Sequence, residues 1–278
     1  MKNKSLIVLM IFLSAFCCSC SKKEKTTEVL LEEFTTEELE YVSLEYAHIG
    51  DVVSFGNYEQ NLDVEGKEEI LWDVLDETDD SVLLISHYIL DVCRFNDEYN
   101  VTWKNSNLRA WINNDFYNNG FSESEKKRIL ITKVDNSQTD EYRNGIDDYP
   151  SYRKKDDTDT DDRLFVLSLD EVKKYYGAHI IIDEYGYKHW FSNGIKSTFT
   201  PYAAQRLYDE RVKRDEQTGY YKERKNPIKV DNTDQDWWMR TESGWNTHII
   251  MADQEGYIGV SGVLTYGGVR PAMWVKKK

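Results

Sequence analysis

The sequence predicts an α+β fold, as one compact domain with short helices, small antiparallel sheets and long irregular loops. Helix-like and strand-like segments follow one another without the regular strand–helix–strand alternation of a parallel α/β protein. No stretch rich in Pro, Ser or Gly divides the chain, and it contains no internal repeat. The 278 residues include 8 Trp, 19 Tyr and 10 Phe, which supply enough apolar surface for a substantial core.

The charge balance is acidic, with 50 Asp+Glu against 35 Lys+Arg and a formal net charge of −15. Acidic chains of low hydrophobicity are often disordered, but such chains lack aromatic residues, so disorder throughout the chain is excluded. An acidic chain repels phosphate backbones, and the Lys and Arg residues here are interleaved with acids. The composition therefore excludes nucleic acid as a general partner.

The first segment is typical of an export signal. Two lysines in residues 1–4 precede an apolar run, residues 6–20, that is too short to cross a bilayer comfortably. The run ends in Cys17-Cys18-Ser19-Cys20, which resembles a bacterial lipobox. We predict a lipoprotein signal peptide over residues 1–19 and a lipid on Cys20, because the small Ser19 precedes it and a polar segment follows. Cys18 is the alternative lipidation site, and an uncleaved membrane anchor is the alternative for the segment. All three interpretations predict an extracytoplasmic domain tied to the bacterial membrane or cell surface.

Residues 20–45 are rich in Lys, Glu and Thr and predict a flexible tether, so that the domain covers residues 46–278. Cys93 is the only cysteine in this domain, and no internal disulfide can form. The favoured interpretation of Cys93 is a small buried hydrophobic residue, and the alternative is a reactive thiol. The domain is therefore expected to depend on packing alone.

In the first half of the domain, period-2 patterns predict strands and capping residues predict helices. Strands are predicted at residues 51–55, 70–75, 82–85 and 129–134, the middle two joined as a hairpin by the turn at 77–80. Asn105 or Ser106 is expected to cap a helix that carries apolar residues at helical spacing up to Phe116. Ser122 and Glu125 form a capping box for a second short helix.

In the second half, residues 135–162 predict a solvated acidic insertion, and residues 164–167 predict a buried strand. Ser168 and Glu171 form another capping box, for a helix that ends near Gly177. Thr200 and Pro201 predict the start of a helix over residues 202–211, followed by a charged loop at 209–236. The remaining predicted strands are residues 237–240, 248–252, 257–260 and 268–275.

Eight motifs in a fixed order carry a family resemblance. They are FGNY (55–58), WDVLD (72–76), LLISHYILD (83–91), TWKNSNLRAWINNDFYNNGFSESE (102–125), LFVLSLDEV (164–172), TPYA (200–203), WWMR (237–240) and GGVRPAMWV (267–275). Together they resemble the bacterial domain-of-unknown-function family 6273, which is common in exported proteins and lipoproteins and has no assigned activity. The WWxR and GVRP segments are also similar to those of C-type-lectin-like and formylglycine-generating-enzyme-like domains. That second resemblance implies a C-type-lectin-like shape.

Neither familiar site of those folds carries over to this chain. The enzymes need a pair of cysteines, whereas only Cys93 lies in the domain, and the calcium-binding triplets of the lectins are absent. Asp157, Asp159 and Asp161 alternate and are the candidate ligands for a calcium ion, with a plain solvated loop as the alternative. An EF-hand is excluded, because the chain lacks Gly and Glu at the sixth and twelfth positions of that loop. The five histidines form no ligand pair typical of zinc.

Aromatic residues concentrate in the last third of the chain, where flat rings and arginines suit sugars and peptides. The candidate ligand-binding residues are Trp238, Arg240, Trp245, Tyr257 and Tyr266. The alternative is a structural role, in which one of the paired tryptophans at 237 and 238 packs in the core. Arg270 is expected to be a buried structural arginine, paired with Asp73 or Asp91.

These observations predict a surface-tethered lipoprotein with a non-catalytic domain that binds an extracellular glycan, peptide or protein. No catalytic residue is predicted, because every catalytic template fails on spacing, and no cofactor is expected apart from the candidate calcium ion. Two alternatives remain: an enzyme with an unrecognised carboxylate-based site, and a structural partner in an envelope complex.

Overall fold

The computed structural model describes residues 39–62, 66–137, 158–224, 228–231, 233, 235–243, 245 and 247–278. The predicted signal peptide, the predicted lipid site Cys20, most of the predicted tether and Asp157 lie outside these residues. At the end of the tether, Leu44 is buried and Val42 forms a parallel bridge with Val53, so contact with the domain begins before residue 46. Within the described residues, no helix is long and apolar enough to span a membrane.

Thirteen strands are described, and they form three sheets. The strands are β1 (Val52–Tyr58), β2 (Glu68–Glu77), β3 (Ser81–Ser86), β4 (Asp91–Arg94), β5 (Thr132–Val134), β6 (Thr160–Asp162), β7 (His179–Ile182), β8 (Lys188–Phe191), β9 (Trp237–Glu242), β10 (His248–Ala252), β11 (Tyr257–Gly262), β12 (Tyr266–Val269) and β13 (Ala272–Lys276). The described helices are α1 (Asn107–Trp111), α2 (Tyr117–Gly120), α3 (Glu123–Lys126), α4 (Leu169–Tyr176), α5 (Pro201–Thr218) and α6 (Tyr220–Arg224). A π-helical turn, Ile112–Phe116, joins α1 to α2. Three 3₁₀ turns cover Leu44–Tyr46, Trp103–Asn105 and Asn193–Ile195. The mixture confirms the α+β class.

The first sheet has the order β1-β2-β3-β13, and all its pairs are antiparallel. Ile70, Trp72 and Val74 of β2 are buried and alternate with less buried neighbours, as the period-2 pattern predicts. All six residues of β3 are buried, because this strand lies between β2 and β13. The predicted hairpin of β2 and β3 is confirmed.

The second sheet has the order β4-β12-β9-β10-β11-β8-β7 and is larger than the sequence predicts. Its pairs are antiparallel except that β12 runs parallel to β9, with Gly268 opposite Trp237. The prediction of one strand over residues 268–275 is wrong. The chain forms β12 in the second sheet, leaves it at Arg270 and Pro271, and continues as β13 in the first sheet. This crossing places Arg270 where the two sheets meet.

The capping predictions are confirmed. Ser106 Oγ accepts a hydrogen bond from Arg109 N at 3.0 Å. Both predicted capping boxes form, at α3 and at α4. Thr200 caps α5 with Pro201 in its first turn.

Three predicted loops and strands differ from the structure. Helix α5 extends to Thr218 and α6 follows it, so most of residues 209–224 is helical and not the predicted charged loop. Thr160–Asp162, the end of the predicted solvated insertion, is strand β6 paired with β5. Residues 164–167 are buried as predicted but form only a single bridge, between Phe165 and Ala272.

Candidate functional site

Trp238 and Arg240, two of the candidate ligand-binding residues, lie inside the fold. Trp238 is fully buried on β9, and its Nε1 donates a hydrogen bond to Cys93 O at 2.9 Å. The Arg240 guanidinium is also buried, and its Nη2 donates to Glu171 Oε1 at 2.9 Å. Both Trp237 and Trp238 pack in the core, whereas the alternative considered above places only one of the two there. Neither Trp238 nor Arg240 presents a face to a ligand at the surface.

The other three aromatic candidates are partly exposed but lie at different places. Trp245 packs edge-on against His248 at a ring distance of 5.2 Å, at the end of the β10–β11 hairpin where β10 begins. Tyr257 lies at the other end of that hairpin, 5.4 Å from the ring of Phe191. Tyr266 begins β12, and burial, followed by a hydrogen bond with Glu210, raises its pKa to about 12. The structure therefore does not assemble the five residues into one site.

The alternating carboxylates do not converge in the part of the chain that is described. Asp159 forms an ion pair with Lys133 at 2.9 Å, and this hydrogen bond lowers the pKa of Asp159. Asp161 is exposed on β6, and Asp157 lies outside the described residues. Across the described ranges, no group of three or more His, Cys, Asp or Glu side chains is placed to hold a metal ion.

A polar cavity of about 500 Å³ opens where the chain passes between the two large sheets. Six separate stretches of the chain contribute to its wall. The lining residues are Asp73, His87, Tyr88, Gly194, Lys196, Ser197, Thr198, Gln235, Gln254 and Arg270. Strand β2 supplies Asp73, the end of β3 leads to His87, and the crossing from β12 to β13 supplies Arg270.

Arg270, Asp73 and His87 form a connected polar group in this wall. The Arg270 side chain is 3% exposed; its Nε donates to Ser86 O at 2.7 Å and its Nη2 to Asp73 Oδ2 at 3.0 Å. The other oxygen of Asp73 lies 2.6 Å from His87 Nδ1. The predicted pairing of a buried Arg270 with Asp73 is confirmed. Asp91, the alternative partner, instead bonds to Tyr58 and Arg206.

The hydrogen bond to Asp73 decides which nitrogen of His87 carries the proton. An ionised carboxylate can only accept hydrogen bonds, so Nδ1 must be the protonated nitrogen in the neutral ring. Nε2 is then the nitrogen that accepts hydrogen bonds. The side chain of His87 is 31% exposed, so the ring combines a fixed orientation with access from the cavity.

Two buried donors near the cavity lack hydrogen-bond partners among the described residues: Arg270 Nη1 and the hydroxyl of Tyr176. Tyr176 ends α4 and packs next to Gly194 of the wall. Burial raises the pKa of Tyr176, and the nearby Arg270 acts to lower it. The two groups are therefore neighbours, although Nη1 and the hydroxyl form no hydrogen bond of acceptable geometry. A buried donor without a partner costs about 1–3 kcal/mol, so such groups often mark sites that a ligand or a water completes.

The wall of the cavity carries the opposite charge to the chain as a whole. In the formal count Lys196 and Arg270 are positive and Asp73 is negative, which leaves one net positive charge among the lining residues. The whole chain has a formal charge of −15. The cavity is thus a local positive site on an acidic protein and favours a negative group.

A second cavity, of about 460 Å³, is different in kind. Arg109 and Asn113 in its wall are fully engaged: Arg109 Nε donates to Asp162 at 2.6 Å, and the Asn113 amide bonds to Leu164 through both its nitrogen and its oxygen. None of its described lining residues carries a buried side-chain atom that lacks a partner. Arg109 and Asn113 of this second cavity therefore hold the fold together.

The fold and the cavity define an α+β domain with a positive polar cleft between two sheets. Residues 79–277 match the family described as Domain of unknown function (DUF6273), and the chain belongs to this family. The predicted family is therefore confirmed. Neither a comparison with curated proteins nor one with solved structures found a match.

The sequence predicts Arg270 and its partner but not the cavity around them. No local pattern marks His87, Lys196 or Tyr176 as site residues, because they come from a strand end, a loop and a helix end far apart along the chain. The Arg-Pro step at residues 270–271 was the one available signal, since a charged residue inside an apolar closing strand needs a buried partner.

Proposed function

We propose that this protein is a surface-tethered lipoprotein whose extracytoplasmic domain binds an extracellular glycan, peptide or protein without altering it. The domain has a C-type-lectin-like architecture in this proposal, and Cys20 carries the lipid that anchors it to the bacterial membrane. Membership of the family supports an exported domain, since the sequence resemblance implies a family that is common in exported proteins and lipoproteins. In this proposal the lipid anchor ties the protein to the membrane, and the acidic charge of the chain disfavours nucleic acid as a partner.

One observation supports the Arg270 cavity as the binding site. Arg270 is buried with Nη1 unpartnered in the wall of a cavity that contains further donors and acceptors. A buried guanidinium with all its donors used would be structural. One that retains a free donor beside a cavity is suited to a polar ligand, because the ligand oxygen relieves the cost of the unpaired group.

Binding to glycan and peptide arrays tests this function, with the full chain purified in detergent. The variant Lys196→Glu reverses an exposed charge at the cavity and leaves the buried Arg270 group intact. The matched control is Lys127→Glu, an exposed lysine outside the cavity wall. We expect the wild type and the control to bind the same array members and Lys196→Glu to lose them. Arrays without binding, or equal binding by all three proteins, would contradict the proposed site.

An enzyme is the second candidate, and the pairing of His87 with Asp73 favours it. A histidine held by a carboxylate at 2.6 Å, with its second nitrogen able to accept a proton, has the arrangement of a general base. The test is to incubate array-positive ligands with the chain and analyse them by mass spectrometry. Ligand conversion that His87→Gln abolishes would establish catalysis, and unchanged ligands would support a binding domain.

A further inference from the structure

The charge, shape and donor set of the Arg270 cavity restrict the ligand further than the proposed function does. We infer that the cavity recognises the carboxylate of an acidic sugar unit in a glycan. This inference rests on the proposed function, because it names the ligand of the same site.

The charge count favours a group with one negative charge. Lys196 and Arg270 against Asp73 leave one net positive charge in the wall. A carboxylate neutralises it. A phosphate monoester carries nearly two negative charges at neutral pH and would leave uncompensated charge beside Asp73.

The geometry of the guanidinium agrees with this choice. Nε and Nη2 of Arg270 are committed to Ser86 and Asp73, and Nη1 has no partner in the described chain. The hydroxyl of Tyr176 is a second unpartnered donor nearby. Two adjacent donors match the two oxygens of one planar carboxylate. Nη1 is covered in the unliganded chain, so its hydrogen bond to the ligand requires a small shift of the wall. The attraction between the charges needs no such shift.

The rest of the wall favours a sugar over a peptide terminus. Apart from Gly194, every lining residue carries a polar side-chain atom, and hydroxyls and amides come from Ser197, Thr198, Gln235 and Gln254. Sugar hydroxyls donate and accept hydrogen bonds and suit such a wall. A sugar ring also presents an apolar face that can lie against the ring of Tyr88.

Isothermal titration of the full chain in detergent with matched sugars tests the inference. The probes are galacturonate and trigalacturonate, each compared with galactose and galactotriose, which differ from them only in the carboxylates. Loss of the carboxylate is expected to weaken binding about 10- to 100-fold, because a hydrogen bond to a charged group is worth about 1.5–3 kcal/mol. Lys196→Ala is expected to weaken the affinity for the acidic ligands about 3- to 10-fold. The control variant Lys127→Ala is expected to bind them as the wild type does.

The outcomes separate the inference from the proposed function. Equal affinity for acidic and neutral sugars overturns the carboxylate assignment and leaves a glycan-binding domain. Binding to peptides with a free C-terminal carboxylate, lost when that carboxylate is amidated and absent for the uronates, overturns the sugar assignment alone. Arrays and titrations that are both empty overturn the proposed function and the inference together.

Discussion

Replacing Arg270 by Ala tests whether the buried polar group at the junction of the two sheets is as important to the fold as its geometry indicates. The substitution removes the donor to Ser86 O at 2.7 Å and the partner of Asp73 at 3.0 Å. It also removes a cation that lies 5.5 Å from the ring centre of Trp237. The backbone connection between β12 and β13 stays the same, so the effect reports on the side chain.

The expected loss follows from these contacts. The buried Ser86 carbonyl is left without its side-chain donor, at a cost of about 1–3 kcal/mol. Breaking a fully buried ion pair costs about 3–5 kcal/mol. The carboxylate of Asp73 is 28% exposed and keeps its hydrogen bond with His87, so the cost of losing this ion pair should be about 3 kcal/mol or less. We expect a total loss of about 3–5 kcal/mol in the free energy of unfolding. For a domain of this size that corresponds to a fall in Tm of roughly 6–20 °C.

Urea unfolding followed by tryptophan fluorescence measures this loss, because Trp237 lies beside the altered residue. Arg163→Ala is the control: this arginine is exposed and stacks on the ring of Tyr117 at 5.2 Å, so its removal should cost less than about 1 kcal/mol. If Arg270→Ala changes the free energy of unfolding no more than Arg163→Ala does, the reasoning about the buried ion pair is refuted.

Three further predictions concern other parts of the fold. Gly256→Ala should destabilise the protein by about 2–4 kcal/mol, because φ at this residue is +96° and a Cβ would lie 2.5 Å from a backbone oxygen. The control is Gly259→Ala, which has open space for a Cβ and should change the urea midpoint little. Burial raises the pKa of the Cys93 thiol, which is partly buried, so iodoacetamide at pH 8.5 should label the Cys93 peptide much faster in urea than in the native chain. Equal labelling rates in the two states would contradict the raised pKa. A hydrogen bond from Lys174 lowers the pKa of Asp76. The ionised Asp76 therefore stabilises the fold fully above its usual pKa of 3.8, and this stabilisation is lost as the pH falls through the lower pKa of the folded state. Asp76→Asn should therefore reduce the urea midpoint more at pH 7 than at pH 2, and an equal reduction at both would count against the charged pair.

The local elements of the fold could be predicted because their signals are local. Ser106, Ser122 and Ser168 bond to backbone groups three residues away, so the sequence contains both partners within one turn of helix. The C-terminal end of α5 could not be predicted in the same way. Its last turns carry charged residues that favour either a solvated helix or a loop, and only Asp215 is buried there.

The candidate site depends on contacts between distant residues, which periodicity does not reveal. The parallel pairing of β12 with β9 and the transfer of the chain to β13 bring Arg270 to Asp73 across nearly two hundred residues. The aromatic pattern predicted ligand binding at Trp238, where the structure has a buried ring, because an aromatic residue in a strand suits a core and a ligand site equally. Chain charge was also misleading about the site, since the cavity is locally positive in an acidic protein.

A crystal structure of the chain with an array-positive ligand tests the central claim most directly. The account predicts ligand density in the cavity lined by His87, Lys196 and Arg270, with a ligand oxygen within about 3.5 Å of the Arg270 guanidinium. Density at another surface, such as the exposed tyrosines of the β7–β8 hairpin, with the cavity unchanged, would contradict it.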